Sequence, residues 1–212
     1  MLLIGQYDSP FVRRVAVTLN LYGVPYENAP LSTFGDAEAI APYNPLRRVP
    51  VLVMDDGVAL TDSMVILEAI DRMVGPAAAT LDRPWPERLE MLRLAALTAG
   101  AADKGVSLLY ERAFRETALD MWVARCRGQV GDTLAVLEQE RAARTTPWLF
   151  GDALSHADVL LATVYRFITE ALEGAFDMAG YTALTTHADA CEVLPAFASV
   201  YKPYTLTRPS EG

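Results

Sequence analysis

The sequence predicts an α+β N-terminal domain followed by an all-helical domain. Over residues 1 to about 75, short β-rich runs alternate with stretches of helical period, whereas the chain after Pro86 has helical period throughout. Between them lie three prolines and three consecutive alanines, a composition typical of a connecting segment. We therefore expect domains at 1–75 and 86–212, joined by a linker at 76–85.

The elements of the first domain follow from apolar runs, helical spacing and turn residues. Its first helix has the clearest bounds, with Ser9 at the N-cap, Pro10 at the first helical position and Gly23 just past the end. Asp56-Gly57 supplies the positive φ of a hairpin turn between two β-rich runs. The predicted elements, in order, are a strand at 2–5, a helix at 11–22, a strand at 25–29, a helical turn at 36–40, strands at 51–54 and 58–60, and a helix at 62–74.

The second domain is predicted to consist of helices at 86–112, 116–143, 156–171 and 187–200. The third of these has a well-specified start, because Ser155 and Asp158 have the types and spacing of a capping box. We interpret Asp158 as a structural carboxylate for this reason. The tail at 202–212 is expected to be irregular.

Composition excludes several classes of function. The net charge is −9, and an acidic surface repels phosphate backbones, so no nucleic-acid partner is expected. No stretch approaches the ~20 apolar residues that span a bilayer, so we expect no membrane partner and a cytoplasmic location. Cys126 and Cys191 lie far apart, and His156 and His187 have no companions at ligand spacing. We therefore expect neither a disulfide framework nor a metal site.

Four segments, in their order and spacing, carry a resemblance to a known family. They are Ser9-Pro10-Phe11 with Arg14, the run from Asn44 to Leu52, Thr61-Asp62-Ser63, and the run from Gly151 to Asp158. Across essentially its whole length, the chain resembles a cytosolic glutathione S-transferase. The Ser-Pro-Phe opening is most similar to the serine-type tau and zeta branches and their bacterial relatives. The resemblance implies a thioredoxin-like N-terminal domain, a homodimer, and glutathione bound mainly by the first domain.

Ser9 is the candidate catalytic residue. Chemistry on glutathione needs the thiolate, and an ordinary thiol is only a few per cent ionised at neutral pH. A helix start favours an anion, and the Ser9 hydroxyl can accept a capping bond while donating its proton to sulfur. Capping alone also explains a serine at this position. Tyr7 is the competing hydroxyl, because other branches of the family use a tyrosine near the end of the first strand.

Three matched positions are assigned to the peptide backbone and the γ-glutamyl end of glutathione. Val49-Pro50 resembles the family's cis-proline segment. The resemblance implies that the N–H and C=O of Val49 pair with the cysteinyl unit of glutathione. The alternative is an edge-strand proline that only starts the hairpin. Asp62 can pair with the γ-glutamyl ammonium, and Ser63 with its carboxylate at the start of the next helix. Helix capping explains Asp62 and Ser63 equally well.

Further residues enter by position in the matched motifs. Either Arg47 or Arg48 can bind the glycine carboxylate of glutathione, where the family more often has Gly-Lys; Arg48 fits the basic position better, and solvated arginines are the alternative. Phe11 follows Ser9-Pro10 in the motif and is assigned to glutathione binding. Asp103 is a candidate contact to glutathione of the neighbouring subunit, or an ordinary surface carboxylate.

The resulting prediction is a glutathione S-transferase that takes glutathione as co-substrate, uses no metal, and joins the thiolate to a small hydrophobic electrophile in detoxification. Aromatic residues of the helical domain could line the electrophile pocket, although most must be core: Tyr110, Phe114, Trp122, Tyr165 and Phe167. A noncatalytic interaction module of the same fold and a zeta-like glutathione-dependent isomerase remain as alternatives. Disulfide or dehydroascorbate reduction is disfavoured, because no cysteine lies near position 9.

Overall fold

The computed structural model describes residues 1–207, so the end of the predicted irregular tail, 208–212, lies outside the described residues. In chain order the elements are β1 (Leu2–Ile4), α1 (Pro10–Leu21), β2 (Glu27–Ala29), α2 (Ala37–Ile40), β3 (Val51–Val53), β4 (Ala59–Thr61), α3 (Ser63–Val74), α4 (Glu87–Phe114), α5 (Asp120–Ala142), α6 (His156–Ala171), α7 (Thr182–Glu192) and α8 (Pro195–Ala198). The predicted fold class is confirmed: a thioredoxin-like α+β arrangement followed by helices.

The sheet has the order β2-β1-β3-β4 and mixed direction. β1 and β2 are parallel, whereas β3 runs antiparallel to both β1 and β4. Ile4 at the end of β1 is opposite Val51 at the start of β3, and Val51 is in turn opposite Thr61 at the end of β4. The chain segments that follow β1, precede β3 and follow β4 therefore leave the sheet at one common end.

The chain divides into two compact units, and the division differs from the predicted domains at the C-terminal side. The first unit comprises Met1–Thr80 and the described chain from Leu194 onward, and the second comprises Leu81–Val193. The sequence placed the chain after 194 in the helical domain. It belongs with the first unit because Phe197 is fully buried there, and its carbonyl accepts a hydrogen bond from Arg13 Nη2 of α1 at 3.2 Å.

The predicted helix at 187–200 is wrong in its bounds. In the structure α7 begins earlier, at Thr182, and ends before the extended residue Leu194. Pro195 starts a separate helix, since proline lacks an N–H and disfavours a helical conformation in the residue before it. The other predicted helices match the observed ones within a few residues, with α5 starting at Asp120 instead of 116.

The helical unit is organised around α6, which is buried along most of its length. Its start confirms the predicted capping box: Asp158 Oδ2 accepts from Ser155 N at 2.8 Å, and Ser155 Oγ accepts from Asp158 N at 3.4 Å. α4 and α5 pack together, and α4 and α7 pack on α6. Among the helices of residues 1–207, none combines the length and the apolar character needed to cross a bilayer.

Candidate functional site

The candidate site residues of the first unit lie on the three segments that leave the sheet at its common end. Ser9 follows β1, Val49-Pro50 precedes β3, and Asp62-Ser63 follows β4. The sheet register therefore brings together three segments that are separated by tens of residues in sequence. Two of them lead into helix N-termini, those of α1 and α3, where unpaired N–H groups and the helix dipole favour an anion.

Ser9 is the N-cap of α1, as predicted. Its backbone is extended, with φ −73° and ψ 125°, and its hydroxyl accepts a hydrogen bond from Val12 N at 3.4 Å. Pro10 occupies the first helical position. The Ser9 side chain is half-buried, so a ligand can reach the hydroxyl, whose proton is not used by the capping bond.

Tyr7 is engaged in a different interaction. Its hydroxyl lies 3.1 Å from the hydroxyl of Tyr26, next to β2, and both side chains are half-buried. Burial, followed by the hydrogen bond with Tyr7, raises the pKa of Tyr26 well above its usual value. Tyr26 therefore stays neutral at physiological pH, and the Tyr7 hydroxyl already has a protein partner.

The Val49-Pro50 peptide bond is cis, as the family resemblance implies. Among residues 1–207, the backbone N–H and C=O of Val49 make no hydrogen bond within the protein. Val49 packs closely over Gly5, where an added Cβ would lie 2.9 Å from Val49 Cβ and 2.5 Å from Val12 Cγ2. Gly5 also has φ +132°, so glycine is required there both for backbone conformation and for space.

Asp62 and Ser63 have different structural roles. Asp62 is exposed and is the N-cap of α3, with Oδ1 accepting from Met64 N at 2.8 Å. Its φ of 69° is rare for a residue other than glycine and costs roughly 1–3 kcal/mol. Ser63 is the first residue of α3 and is 5% exposed. Its hydroxyl accepts a hydrogen bond from Arg14 Nη1 at 3.3 Å.

Arg14 is the residue at this end of the sheet whose role the sequence did not reveal. It is 0% exposed on α1, and Nη1 also lies 3.3 Å from Met64 Sδ. Burial lowers the pKa of the guanidinium to about 10, and the charge of Asp62 partly opposes this shift. The sequence signals for Arg14 are its place in the matched segment with Ser9-Pro10-Phe11 and the absence of an acidic residue from α1.

Arg47 and Arg48 lie on an exposed loop organised by Asn44. The buried Asn44 amide donates to the carbonyl of Arg48 at 2.9 Å and accepts from Leu46 N at 3.0 Å. Arg47 has φ 51° and forms an ion pair with Glu38 at 3.2 Å. The loop thus directs the Arg47 side chain towards Glu38 of α2.

The remaining predicted residues are placed as follows. Phe11 is half-buried in the first turn of α1. Asp103 is exposed on α4 of the helical unit. In that unit Tyr165 and Phe167 belong to the buried core, whereas three other aromatic side chains on α4 and α5 are half-buried: Tyr110, Phe114 and Trp122. The Tyr110 and Phe114 rings are in contact, with centroids 5.6 Å apart.

The arrangement in the first unit suits an anionic, peptide-like ligand. Two helix N-termini, a buried guanidinium and an exposed arginine supply positive potential, and Val49 supplies an unpaired backbone donor and acceptor. Within residues 1–207, no three side chains of His, Cys, Asp or Glu are grouped so that they could hold a metal ion. Cys126 and Cys191 are both buried in the helical unit, and neither forms a disulfide within the described residues.

Comparison with known proteins extends these observations. Residues 3–77 match the family model for the glutathione S-transferase N-terminal domain, and residues 120–190 match that for the C-terminal domain. A glutathione S-transferase structure from Methylobacterium radiotolerans, in complex with glutathione sulfonate, is 26% identical with a TM-score of 0.90, covering 100% of this chain and 98% of that chain.

Curated relatives match over shorter stretches. The GST-like protein YibF of Escherichia coli is 36% identical over 113 residues, which is 53% of this chain and 55% of that protein. The chain thus spans about half the length of this relative. A maleylacetoacetate isomerase of Pseudomonas aeruginosa is 29% identical over 76% of this chain and 78% of that protein. Together with the two domain matches, these similarities show that the chain belongs to the glutathione S-transferase family.

Proposed function

We propose that this protein is a glutathione transferase that binds glutathione on its first unit, stabilises the thiolate with Ser9, and conjugates it to a small hydrophobic electrophile. The observation that carries the proposal is the position of Ser9 at the N-cap of a helix. Its hydroxyl accepts a hydrogen bond from Val12 N, so the hydroxyl proton is available to donate to the sulfur of glutathione. A donor and the positive end of a helix dipole favour the thiolate over the thiol.

The rest of glutathione is held along the same end of the sheet. The cysteinyl unit pairs with the backbone of Val49, which has both polar groups unpaired within the described residues. The γ-glutamyl carboxylate binds Ser63 and the N-terminus of α3, and its ammonium binds Asp62. Arg48, with Arg47 as the weaker candidate, binds the glycine carboxylate, and Phe11 contributes contact area.

We also propose that side chains of the helical unit contact the electrophile and that a second subunit contributes to the site. Tyr110, Phe114 and Trp122, which are half-buried, are the candidates to contact the electrophile. We further propose a homodimer, in which Asp103 contacts glutathione of the neighbouring subunit. Neither cysteine forms a disulfide within the described residues, which fits a reducing compartment, and we propose a cytoplasmic location.

The test is ultraviolet difference absorbance of the thiolate when glutathione is mixed with the protein near neutral pH. Ser9→Gly and Ser9→Thr form the informative pair, because glycine keeps the helix cap to within a few tenths of a kcal/mol but removes the hydroxyl, and threonine keeps both. We expect Ser9→Thr to retain the thiolate band and Ser9→Gly to lose it. In Ser9→Gly, kcat/KM should fall roughly 10- to 100-fold, as for a lost hydrogen bond to a charged group.

Tyr7→Phe is the control for the competing hydroxyl. Because Tyr7 already pairs with Tyr26, we expect this variant to keep the thiolate band. Loss of the band in Tyr7→Phe and its survival in Ser9→Gly would move the catalytic role to Tyr7. Absence of a band in the wild-type protein would favour a noncatalytic interaction module.

A second candidate function is glutathione-dependent cis–trans isomerisation. It is favoured by the similarity to the Pseudomonas isomerase over three quarters of the chain. In such a reaction the thiolate adds to a conjugated cis double bond, the resulting single bond rotates, and the thiolate is expelled. Glutathione is then regenerated, so turnover of a cis-unsaturated dicarboxylate without loss of glutathione would identify the isomerase, whereas stoichiometric consumption of glutathione identifies the transferase.

A further inference from the structure

Arg14 brings a buried positive charge to the start of α3. Its side chain is 0% exposed, and Nη1 donates to Ser63 Oγ at 3.3 Å. Its Nε and Nη2 atoms have no hydrogen-bond partner among residues 1–207. Native proteins rarely leave buried polar atoms unpaired, and a buried charge is costly unless something compensates for it.

No buried carboxylate compensates for this charge within the described chain. Asp62 is the nearby acid, but it is exposed and its Oδ1 is used to cap α3 through Met64 N. The pKa of Arg14, lowered by burial to about 10, still leaves the guanidinium protonated at neutral pH. Two sources of positive potential therefore meet at the start of α3, the helix N-terminus and the guanidinium beneath it, beside the exposed carboxylate of Asp62.

The hydrogen bond to Arg14 also sets the direction of the Ser63 hydroxyl. Arginine has only donors, so Ser63 Oγ must act as the acceptor in this bond. The Ser63 proton consequently points away from Arg14 and is available to an acceptor at the N-terminus of α3. A carboxylate is the ligand group that uses both this proton and the positive potential.

We propose that Arg14 is a positioning residue that makes the start of α3 selective for a ligand with a free α-carboxylate, acting through Ser63 and through its own buried charge. This inference rests on the proposed function, in which that ligand group is the γ-glutamyl carboxylate of glutathione. Arg14 does not contact the ligand, because it is fully buried behind Ser63. The competing explanation is that Arg14 only ties α1 to α3.

The test compares two ligands that differ in one charge. S-hexylglutathione and its derivative with the γ-glutamyl α-carboxylate converted to a carboxamide are titrated into the full-length protein by calorimetry. Neither ligand has a free thiol, so binding is measured apart from thiolate formation. Arg14→Met removes the charge and keeps an unbranched side chain of similar length. Arg13→Met is the matched control, because Arg13 is also buried but donates to Phe197 O.

We expect Arg14→Met to lower the affinity for S-hexylglutathione about tenfold, which is in the range of a lost hydrogen bond near a charge. The affinity for the carboxamide ligand should change by less than about twofold. Arg13→Met is expected to leave the ratio of the two affinities at its wild-type value. An equal loss of affinity for both ligands in Arg14→Met would overturn the inference. The explanation that Arg14 only ties α1 to α3 would then stand. Failure of the wild-type protein to bind either ligand would instead remove the proposed function, and this inference with it.

Arg14→Lys provides a second measurement if the methionine variant does not fold. Burial lowers the pKa of a lysine, so this variant loses its charge at a lower pH than arginine does. We expect its preference for the carboxylate ligand to fall as the pH is raised from 7 to 9, while the wild-type preference is constant. A preference in Arg14→Lys that does not change with pH would contradict the role of charge.

Discussion

Asp158 allows the sharpest prediction of stability in this chain, because its carboxylate is 0% exposed and fully used. Oδ1 accepts from Leu149 N at 2.8 Å, and Oδ2 accepts from Ser155 N at 2.8 Å and from Ser155 Oγ at 2.6 Å. One side chain thus closes the capping box of α6 and also fixes the loop that precedes it. The perturbation is Asp158→Ala, which removes every one of these acceptors.

The expected loss follows from the donors left behind. Two buried backbone N–H groups, those of Leu149 and Ser155, lose their partner, and each unsatisfied buried donor costs about 1–3 kcal/mol. We therefore expect Asp158→Ala to lower the free energy of unfolding by about 4 kcal/mol, a large share of the ~5–15 kcal/mol of a typical domain. For a chain of this size the melting temperature falls by roughly 8–16 °C.

Urea unfolding followed by far-ultraviolet circular dichroism measures this loss. Asp152→Ala is the matched control, because Asp152 lies in the same loop and is exposed. Asp158→Asn keeps one carbonyl acceptor and should fall between the control and Asp158→Ala. If Asp158→Ala were destabilised by less than about 1 kcal/mol, like the exposed control, the assignment of Asp158 as the acceptor that holds both segments would be refuted.

Two further predictions concern pH and backbone space. Burial lowers the pKa of His187 below its usual value of 6.5, so on acidification the unfolded state binds the proton before the folded state does. The contribution of His187 to the free energy of unfolding is therefore fully present above about pH 6.5. It falls as the pH falls below that value, by at most about 1.4 kcal/mol per pH unit. Thermal melts between pH 5 and 8 should show this component in the wild type and not in His187→Gln. Gly5→Ala should weaken glutathione binding and lower stability together, because the added Cβ meets Val12 and Val49. In the control variant Gly100→Ala, on α4, the added Cβ enters open space and should not destabilise the protein. Equal melting temperatures and equal glutathione affinities for the two variants would contradict the steric argument.

Much of the fold could be predicted because its signals are local. The start of α1, the β3–β4 hairpin and the capping box of α6 each depend on residue types within a few positions of one another, and all three are present in the structure. The bounds of α7 could not be predicted in this way. Its N-terminus has no side-chain cap of its own; Glu138 of α5 accepts from Ala183 N and Leu184 N, both at 2.9 Å. A cap supplied from another helix leaves no local pattern to find.

The site shows the same division between local and distant contacts. Tyr7 could be identified as a candidate, but its pairing with Tyr26 depends on β1 and β2 lying side by side. Arg14 was visible as part of a matched motif, yet a basic residue on a helix is ordinarily solvated. Its burial under α3 follows from the packing of α1 against α3, which a single sequence does not specify.

The structure tests the capping interpretation that the sequence left open for three polar residues at the site, whereas their roles in ligand binding stay predictions. For Ser9 and Asp62, capping is present, and it leaves one Ser9 proton and the second Asp62 oxygen for a ligand. For Ser63, capping is not the explanation: within the described residues its hydroxyl bonds Arg14 and no backbone N–H of α3. Ser63 instead provides the buried Arg14 guanidinium with an oxygen acceptor at a helix start that Asp62 already caps. We therefore expect Ser63→Ala to lower stability, because a buried donor loses its acceptor, and also to weaken ligand binding if Ser63 has the role proposed above.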